Sequence, residues 1–442
     1  MAPATSKPLA RGLGFADAVV IGLGSMIGAG VFSAFGPAAA VGGTGLLLGL
    51  AIAAIVAYCN ATSSARLAAR YPASGGSYVY GRQRLGAFAG YLAGWAFVVG
   101  KIASCAAIAL TFGGYLAGDD AKPVAMCAVL AITVVNYLGV RKSLGLTRIL
   151  LTLTLLALAG VVVGCLAGGH ASSAHLAGFP GGFSGASALG SSLNADVLGV
   201  LRSAGLLFFA FAGYARIATL GEEVREPRRT IPLAIPVALG LALLVYATVA
   251  VAGLLALGPH GLASTATPLV DAVRTGRWHA LTPAVRVGAA IAALGSLLAL
   301  LLGVSRTVFA MARNRDLPGM LDAVHPKYEV PHRAELAVGL LVAVLAGTVD
   351  LRPAIGFSSF GVLCYYAIAN ASALTLGPDE GRPPRWIPVL GLLGCVLLAG
   401  SLPSTSTIAG AGVLAFGALI WLGRRLLVNR RKSLPRKEKP TT

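Results

Sequence analysis

The 442-residue chain is 56% hydrophobic and only 12% charged, too little charge to cover a water-soluble globule. Its formal net charge of +19 would suit a nucleic-acid partner, but the basic residues are scattered between apolar runs instead of gathered on one patch. Many of those runs reach the roughly 20 residues that a helix needs to span a hydrocarbon core, so the fold class is an all-α polytopic membrane protein.

In chain order, residues 1–14 carry no signal-peptide cleavage pattern, so the first span is expected to be retained. Hydropathy and helix breakers then predict about twelve transmembrane helices. They lie near 15–40, 44–67, 87–117, 122–140, 147–168, 196–221, 231–257, 283–312, 334–350, 353–376, 386–402 and 405–427. With both termini on one side, that side collects Lys7, Arg11, Arg66, Arg70, Arg82, Arg84, Arg141, Arg228, Arg313 and the tail from Arg424 to Lys439. The opposite side keeps little beyond Lys122, Arg274, Arg277, Arg286 and Arg352. By the positive-inside rule both termini are cytoplasmic, and the multi-pass protein is assigned to the plasma membrane. The expected organisation is a cytoplasmic N-terminus (1–14), a transmembrane domain (15–427) and a basic cytoplasmic tail (428–442). The tail reads as solvated, with contact to anionic membrane lipid as the alternative.

The first span, FADAVVIGLGSMIGAGVF (Phe15–Phe32), is apolar enough to cross a membrane, yet glycines crowd its middle. Gly22, Gly24 and Gly28 approximate a dinucleotide fingerprint, but the spacing is off by one and no strand–helix context surrounds them. Gly24 and Gly28 also form a GxxxG pair suited to close helix packing. The third reading is a discontinuous helix, whose freed N–H and C=O groups bind a polar solute in a buried cavity. That reading requires a second interrupted span in a related position. Residues 196–221 supply one, with Gly213 in mid-span and Arg216 just beyond.

Six cysteines lie inside apolar runs without a CxxC pair and read as small buried hydrophobes, giving neither disulfide nor metal site. The six histidines are read as loop residues. No HExxH, GxSxG or paired intramembrane carboxylates point to an enzyme, no cofactor is expected, and no filter-like repeat points to a channel.

Several stretches together resemble the amino acid–polyamine–organocation (APC) superfamily of permeases, closest to bacterial transporters similar to cationic amino acid transporters. They are GSMIGAGVF (Gly24–Phe32), YPASGGSYVYGRQRLG (Tyr71–Gly86), NYLGVRKS (Asn136–Ser143), FFAFAGYARIATLGEEVREPRRTIP (Phe208–Pro232) and VSRTVFAMARNRDLP (Val304–Pro318). The resemblance covers nearly the whole chain in order. It implies a leucine-transporter-like 5+5 inverted repeat, about 15–168 and 196–376, with discontinuous helices 1 and 6 and with helices 11–12 (about 386–427) added. It also implies secondary active transport of a small-molecule amino acid by alternating access.

By the same resemblance, backbone N–H groups of Gly28, Ala29 and Gly30 bind the substrate carboxylate, where a half-helix N-terminus favours an anion. Carbonyls at Met26, Ile27, Phe209, Ala210 and Ala212 would meet the substrate ammonium. Gly213 belongs to the substrate-binding break of span six, and Phe211, Tyr214, Lys101, Ser104, Cys105, Ser296 and Phe357 are candidates for the side-chain pocket; packing is the competing reading for each of these. Some family members carry a titratable lysine in span five, but the aligned residue here is Thr154, so coupling through that position does not transfer. Lys101, a lysine within span three, either supplies the missing charge for proton coupling or snorkels in a structural role. Arg216 forms a gating pair, with Glu222 or another acid, or a structural one. Glu222 and Glu223 suit an inner salt-bridge gate, and Asp17 either caps the first helix or joins that gate. No carboxylate is evident in the central pocket, which favours neutral L-amino acids, with cationic amino acids or polyamines as the alternative.

Overall fold

The computed structural model describes residues 13–71, 75–139, 144–176, 192–218 and 224–433. Their regular structure is helical, with irregular connections and one isolated parallel bridge between Leu13 and Val224. The first third contains α1 (Phe15–Met26), α2 (Ala29–Ser33), α3 (Phe35–Gly42), α4 (Leu46–Arg70), α5 (Ser77–Arg84) and α6 (Ala87–Ala117). Then follow α7 (Ala121–Tyr137), α8 (Leu144–Leu166), α9 (Ser192–Phe211), α10 (Ala215–Ala218), α11 (Pro227–Ala263) and α12 (Pro268–Arg274). The chain closes with α13 (Thr282–Arg313), α14 (His332–Thr348), α15 (Leu351–Leu374), α16 (Trp386–Ser401) and α17 (Ser404–Ser433). Among the described residues, 8 helical segments are long and apolar enough to cross a membrane, and Val197–Phe211 and Trp386–Ser401 are shorter apolar helices. The protein is a multi-pass helical membrane protein.

Local chemistry explains where the elements depart from the expected spans. The stretch expected to form one span over 15–40 runs as three pieces. The first interruption, at Ile27–Gly28, is a true break. The second, at Ala34, is only a bend: Ala34 N–H still donates to Gly30 O (2.9 Å) and Ala38 N–H to Ala34 O (3.1 Å). Pro37 has no N–H to give Ser33, four residues back, and its ring pushes that carbonyl aside. Ala29–Gly42 is therefore one hydrogen-bonded run with a kink. Helix α11 bends where Gly258 (φ 67°, ψ 174°) precedes Pro259, close to the expected end at 257. Helices α5 and α12 lie in stretches expected to be connections. Two further expectations are corrected: Cys127 is exposed, on the outer face of α7, and His332 opens α14 while His260 lies within α11.

Buried apolar side chains form two main clusters. The larger draws chiefly on α1, α3, α4, α9, α11 and α15, and includes Met26, Ile27, Phe32, Phe208, Phe211, Tyr246 and Tyr366. The smaller draws on α6, α7, α13 and α14, and includes Val98, Leu297, Leu301, Val338 and Val342. Phe209 and Leu351 pack against both. The seam passes through the first break, because Ile27 and Val31 belong to the larger cluster and Ala29 to the smaller.

Where apolar burial gives no preference over lipid, polar bonds between helices add roughly 1 kcal/mol each. Asn370 on α15 donates to Asn60 Oδ1 on α4 (2.6 Å) and accepts from Ser63 (2.7 Å), and Cys395 on α16 approaches the same Asn60 oxygen at 3.3 Å. This network joins three helices behind the larger cluster.

Candidate functional site

Helix α1 stops at Met26 because Ile27 (φ −77°, ψ 80°) and Gly28 (φ −139°, ψ −142°) leave helical geometry. The Gly28 N–H turns back to Met26 O at 2.9 Å. Helix α2 then restarts at Ala29, so the N–H groups of Ala29 and Gly30 stand in a first turn with no helical acceptor before them. In the second interrupted segment, α9 ends at Phe211, Ala212 to Tyr214 form a turn, and α10 begins at Ala215. Tyr214 N–H donates to Phe211 O (3.3 Å) and Arg216 N–H to Gly213 O (3.0 Å), so Ala210 O loses its usual helical partner.

The two breaks face each other, and glycine makes the approach possible. A Cβ on Gly213 would run into the Ser25 carbonyl and stand 2.7 Å from Met26 N. A Cβ on Gly30 would lie 2.8 Å from Ala210 Cα. Gly28 is backed by the Ser296 hydroxyl on α13, and Gly22 by Ile217 on α10.

A hydroxyl on a third helix joins the pair. Tyr246 of α11 directs its OH at Met26 O (2.6 Å) and Ala210 O (3.0 Å), and its ring meets Phe211 edge-on at 5.1 Å. One hydroxyl thus ties the two breaks together, meeting Ala210 O, which has lost its helical partner, and Met26 O, which also accepts the Gly28 N–H. Sequence reasoning missed Tyr246. Its only signal was a polar tip inside the apolar run of α11.

The remaining expected residues fall as follows. Tyr214 stacks on Tyr366 with centroids 5.0 Å apart. Ser104 on α6 bonds Ser358 on α15 at 2.5 Å, across the close approach of Gly100 and Gly361. Thr154 lines a narrow cleft beside the first break, with Gly24, Ile27, Ile291 and Ser296, and its hydroxyl donates to Leu150 O at 2.8 Å. Lys101 is buried on α6, where its electrostatic neighbour is Cys105, and it is not part of the cleft lining. Phe357 is half-buried on α15, and Arg216 sits in α10 with an exposed side chain. Asp17 caps α1 by accepting from Gly14 N–H (3.0 Å) and pairs with Arg148 on α8 (2.6 Å). Glu222 lies outside the described residues, as does Glu223.

Other acids hold the polar ends together. Asp316 accepts from Tyr78 (2.6 Å) and Arg82 (2.9 Å), joining α5 to the connection after α13. Glu380, in the turn after α15, pairs with Arg84 and Arg70. The Arg84 guanidinium holds the Glu380 carboxyl at about 2, helped by the Gly377 N–H. A lowered carboxylate stabilises the fold above the free glutamate value of about 4.3 and loses that contribution as pH falls through the folded value. Docking of the 377–381 turn should therefore hold at pH 5 and release near pH 2. Hydrogen exchange of the Gly377 and Gly381 amides along an acid titration measures this, and Glu380→Gln should exchange fast already at pH 5.

The amino acid permease family pattern matches residues 13–422. An uncharacterized transporter of Mycobacterium tuberculosis is 62% identical over 422 residues, covering 96% of this chain and 93% of its own length. Cationic amino acid transporter 7, chloroplastic, of Arabidopsis thaliana is 28% identical over 412 residues, with 88% and 69% covered. The branched-chain amino acid permease BcaP of Bacillus subtilis is 26% identical over 430 residues, with 89% and 88% covered.

Proposed function

The chain belongs to the amino acid permease family, and from that premise we propose that it carries neutral L-amino acids across the plasma membrane by proton-coupled alternating access. It is a transporter in this reading and not an enzyme. The observation that carries the reading is the pair of facing breaks, bridged by Tyr246 at the seam between two packed clusters. The first-turn N–H groups of Ala29 and Gly30 take the substrate carboxylate, where the dipole of the Ala29–Gly42 run favours an anion. The substrate ammonium takes the Met26 and Ala210 carbonyls, which Tyr246 now occupies. Binding therefore exchanges one donor for another and leaves no buried acceptor unpaired.

This mechanism fits twelve spans arranged as 5+5 inverted repeats plus two helices, with both termini in the cytoplasm. The seam is then the plane along which the two bodies move. Phe209 packs on both clusters and Ser296 backs Gly28, so both stand where motion would be felt. Asp17, Arg216 and Glu222 belong to the inner gate.

Neutral substrates are favoured because the cleft at the first break has no carboxylate in its described lining. The names of BcaP and cationic amino acid transporter 7 cover both branched-chain and cationic classes, so cationic substrates or polyamines form the second reading.

A thermal-stability screen of the purified chain in detergent tests this. A ligand at about 100 times its Kd stabilises the folded state by about 2.7 kcal/mol. Neutral L-amino acids should raise the melting temperature, while their decarboxylated amines should not. Stabilisation by arginine, lysine or polyamines alone would replace this reading with the cationic one.

A further inference from the structure

Away from the paired breaks, Glu335 on α14 is fully buried, at 0% exposure, and has no place in the mechanism above. Neither of its carboxyl oxygens has a hydrogen-bond partner among the described residues. The polar side chains that face it are Asn136 at the end of α7 and Ser305 on α13. The Ser305 hydroxyl goes to Leu301 O (2.9 Å), and one N–H of the Asn136 amide goes to Leu298 O (3.3 Å). The Asn136 amide oxygen is also buried without a partner. Three helices thus bring Asn136 and Ser305 close to the Glu335 carboxyl, with neither in hydrogen-bond geometry to its oxygens. A carboxyl buried this way needs a proton or a cation to offset its lost hydration.

An approach route adjoins it. His332 stands one helical turn earlier on the same side of α14, and its Nδ1 is buried without a partner. Its ring lies edge-on to His325 (centroids 5.4 Å apart) and to Tyr137 (6.3 Å), next to Asn136 in sequence. Both histidines are half-buried and so connect this end of α14 to water. Among the described residues, the other charged or titratable groups in reach are Arg306 on α13 and Cys105 on α6, and Cys105 also feels Lys101. Arg333, beside His332, gives its guanidinium to Met320 O at 3.4 Å.

We propose that Glu335 is an intramembrane proton-binding site, loaded through the His332 imidazole from the His325 end of α14. In the transfer, His332 imidazolium gives its proton to the Glu335 carboxylate, leaving a neutral imidazole and a carboxylic acid, and water reprotonates the imidazole. Chains of histidine and carboxylate serve proton movement in membrane carriers generally. Loading the site removes one negative charge from the neighbourhood of Cys105 and Lys101. The proposal goes beyond the amino acid reading and does not depend on it.

The test is a pH-difference infrared spectrum of the purified full-length chain with no substrate present. The parent should show the C=O stretch of a buried protonated carboxyl. The band should vanish in Glu335→Gln and shift in Glu335→Asp, a pair that keeps the test decisive if either variant fails to fold. His332→Ala should keep the band but slow its response to a pH jump by at least about tenfold. A parent without the band, or a band that survives Glu335→Gln and does not move in Glu335→Asp, overturns the site. An unchanged response in His332→Ala overturns the route. Loss of the band when sodium chloride replaces choline chloride at constant pH would assign the site to a metal cation instead. Failure of the amino acid reading would show in the ligand screen and leave this spectrum unaffected.

Discussion

Gly213→Ala is expected to reduce saturable amino acid uptake about 100-fold while the protein still reaches the membrane. The added methyl has no rotamer to escape into. It would meet the Ser25 carbonyl and stand 2.7 Å from Met26 N, which are backbone atoms of the facing helix. The two broken helices must then separate by roughly 1 Å, and misplacement on that scale costs about 100-fold at a site that works by alignment. Overpacking also costs about 1–3 kcal/mol of stability, which leaves a folded protein to assay. Gly240→Ala on α11 is the control. No atom lies within 4 Å of its would-be Cβ, so uptake should stay at the parental level. Proteoliposome uptake, normalised to inserted protein, separates the two. Parental uptake in Gly213→Ala would mean that transport does not need the breaks in contact.

Tyr246→Phe should lower the apparent stability in detergent by about 1–3 kcal/mol, since the buried Ala210 carbonyl loses its donor and the Met26 carbonyl keeps only the Gly28 N–H. It should also slow uptake by about tenfold or more, from the same loss expressed at the site. Phenylalanine keeps the edge-on contact with Phe211 at 5.1 Å, so the effect reports the hydroxyl and not the ring. Ala210 O has no other route to satisfaction within its helix, whereas Met26 O keeps the Gly28 N–H at 2.9 Å. Beyond Met26 the helix is broken, and the Tyr214 N–H that would serve Ala210 goes to Phe211 O at 3.3 Å. Saturating substrate should restore part of the lost stability, because its ammonium supplies the missing donor. A variant that melts and transports like the parent would remove Tyr246 from the mechanism.

The interrupted helices were legible in the sequence for a definite reason. Gly22, Gly24, Gly28 and Gly30 sit where an apolar span should be most regular, and Gly213 repeats the anomaly in the sixth span. Composition also marked the chain as membrane-spanning, because 12% charge cannot hydrate so apolar a surface. Asp17 was legible as a cap from its place ahead of the first apolar run, and Gly14 N–H meets it at 3.0 Å.

Side-chain direction was not legible. Tyr246 and Lys101 are each a polar residue in a long apolar helix, and such a helix gives no internal sign of which neighbour a residue faces. Packing turned Tyr246 toward both breaks and set Lys101 beside Cys105. Glu335 reads in sequence as an acid at a helix start, where exposure is usual. Only the convergence of α7, α13 and α14 buries it completely.

Asp316 and Glu380 read as loop residues. The docking of α5 and of the 377–381 turn made them ion-pair partners of Arg82 and Arg84. By itself, then, the sequence determined the membrane class, the all-helical character and the glycine breaks, since these depend on local composition and backbone freedom. Which carbonyl meets which hydroxyl, and which carboxyl loses its water, depended on helices far apart in the chain coming into contact, and only the tertiary structure decided that.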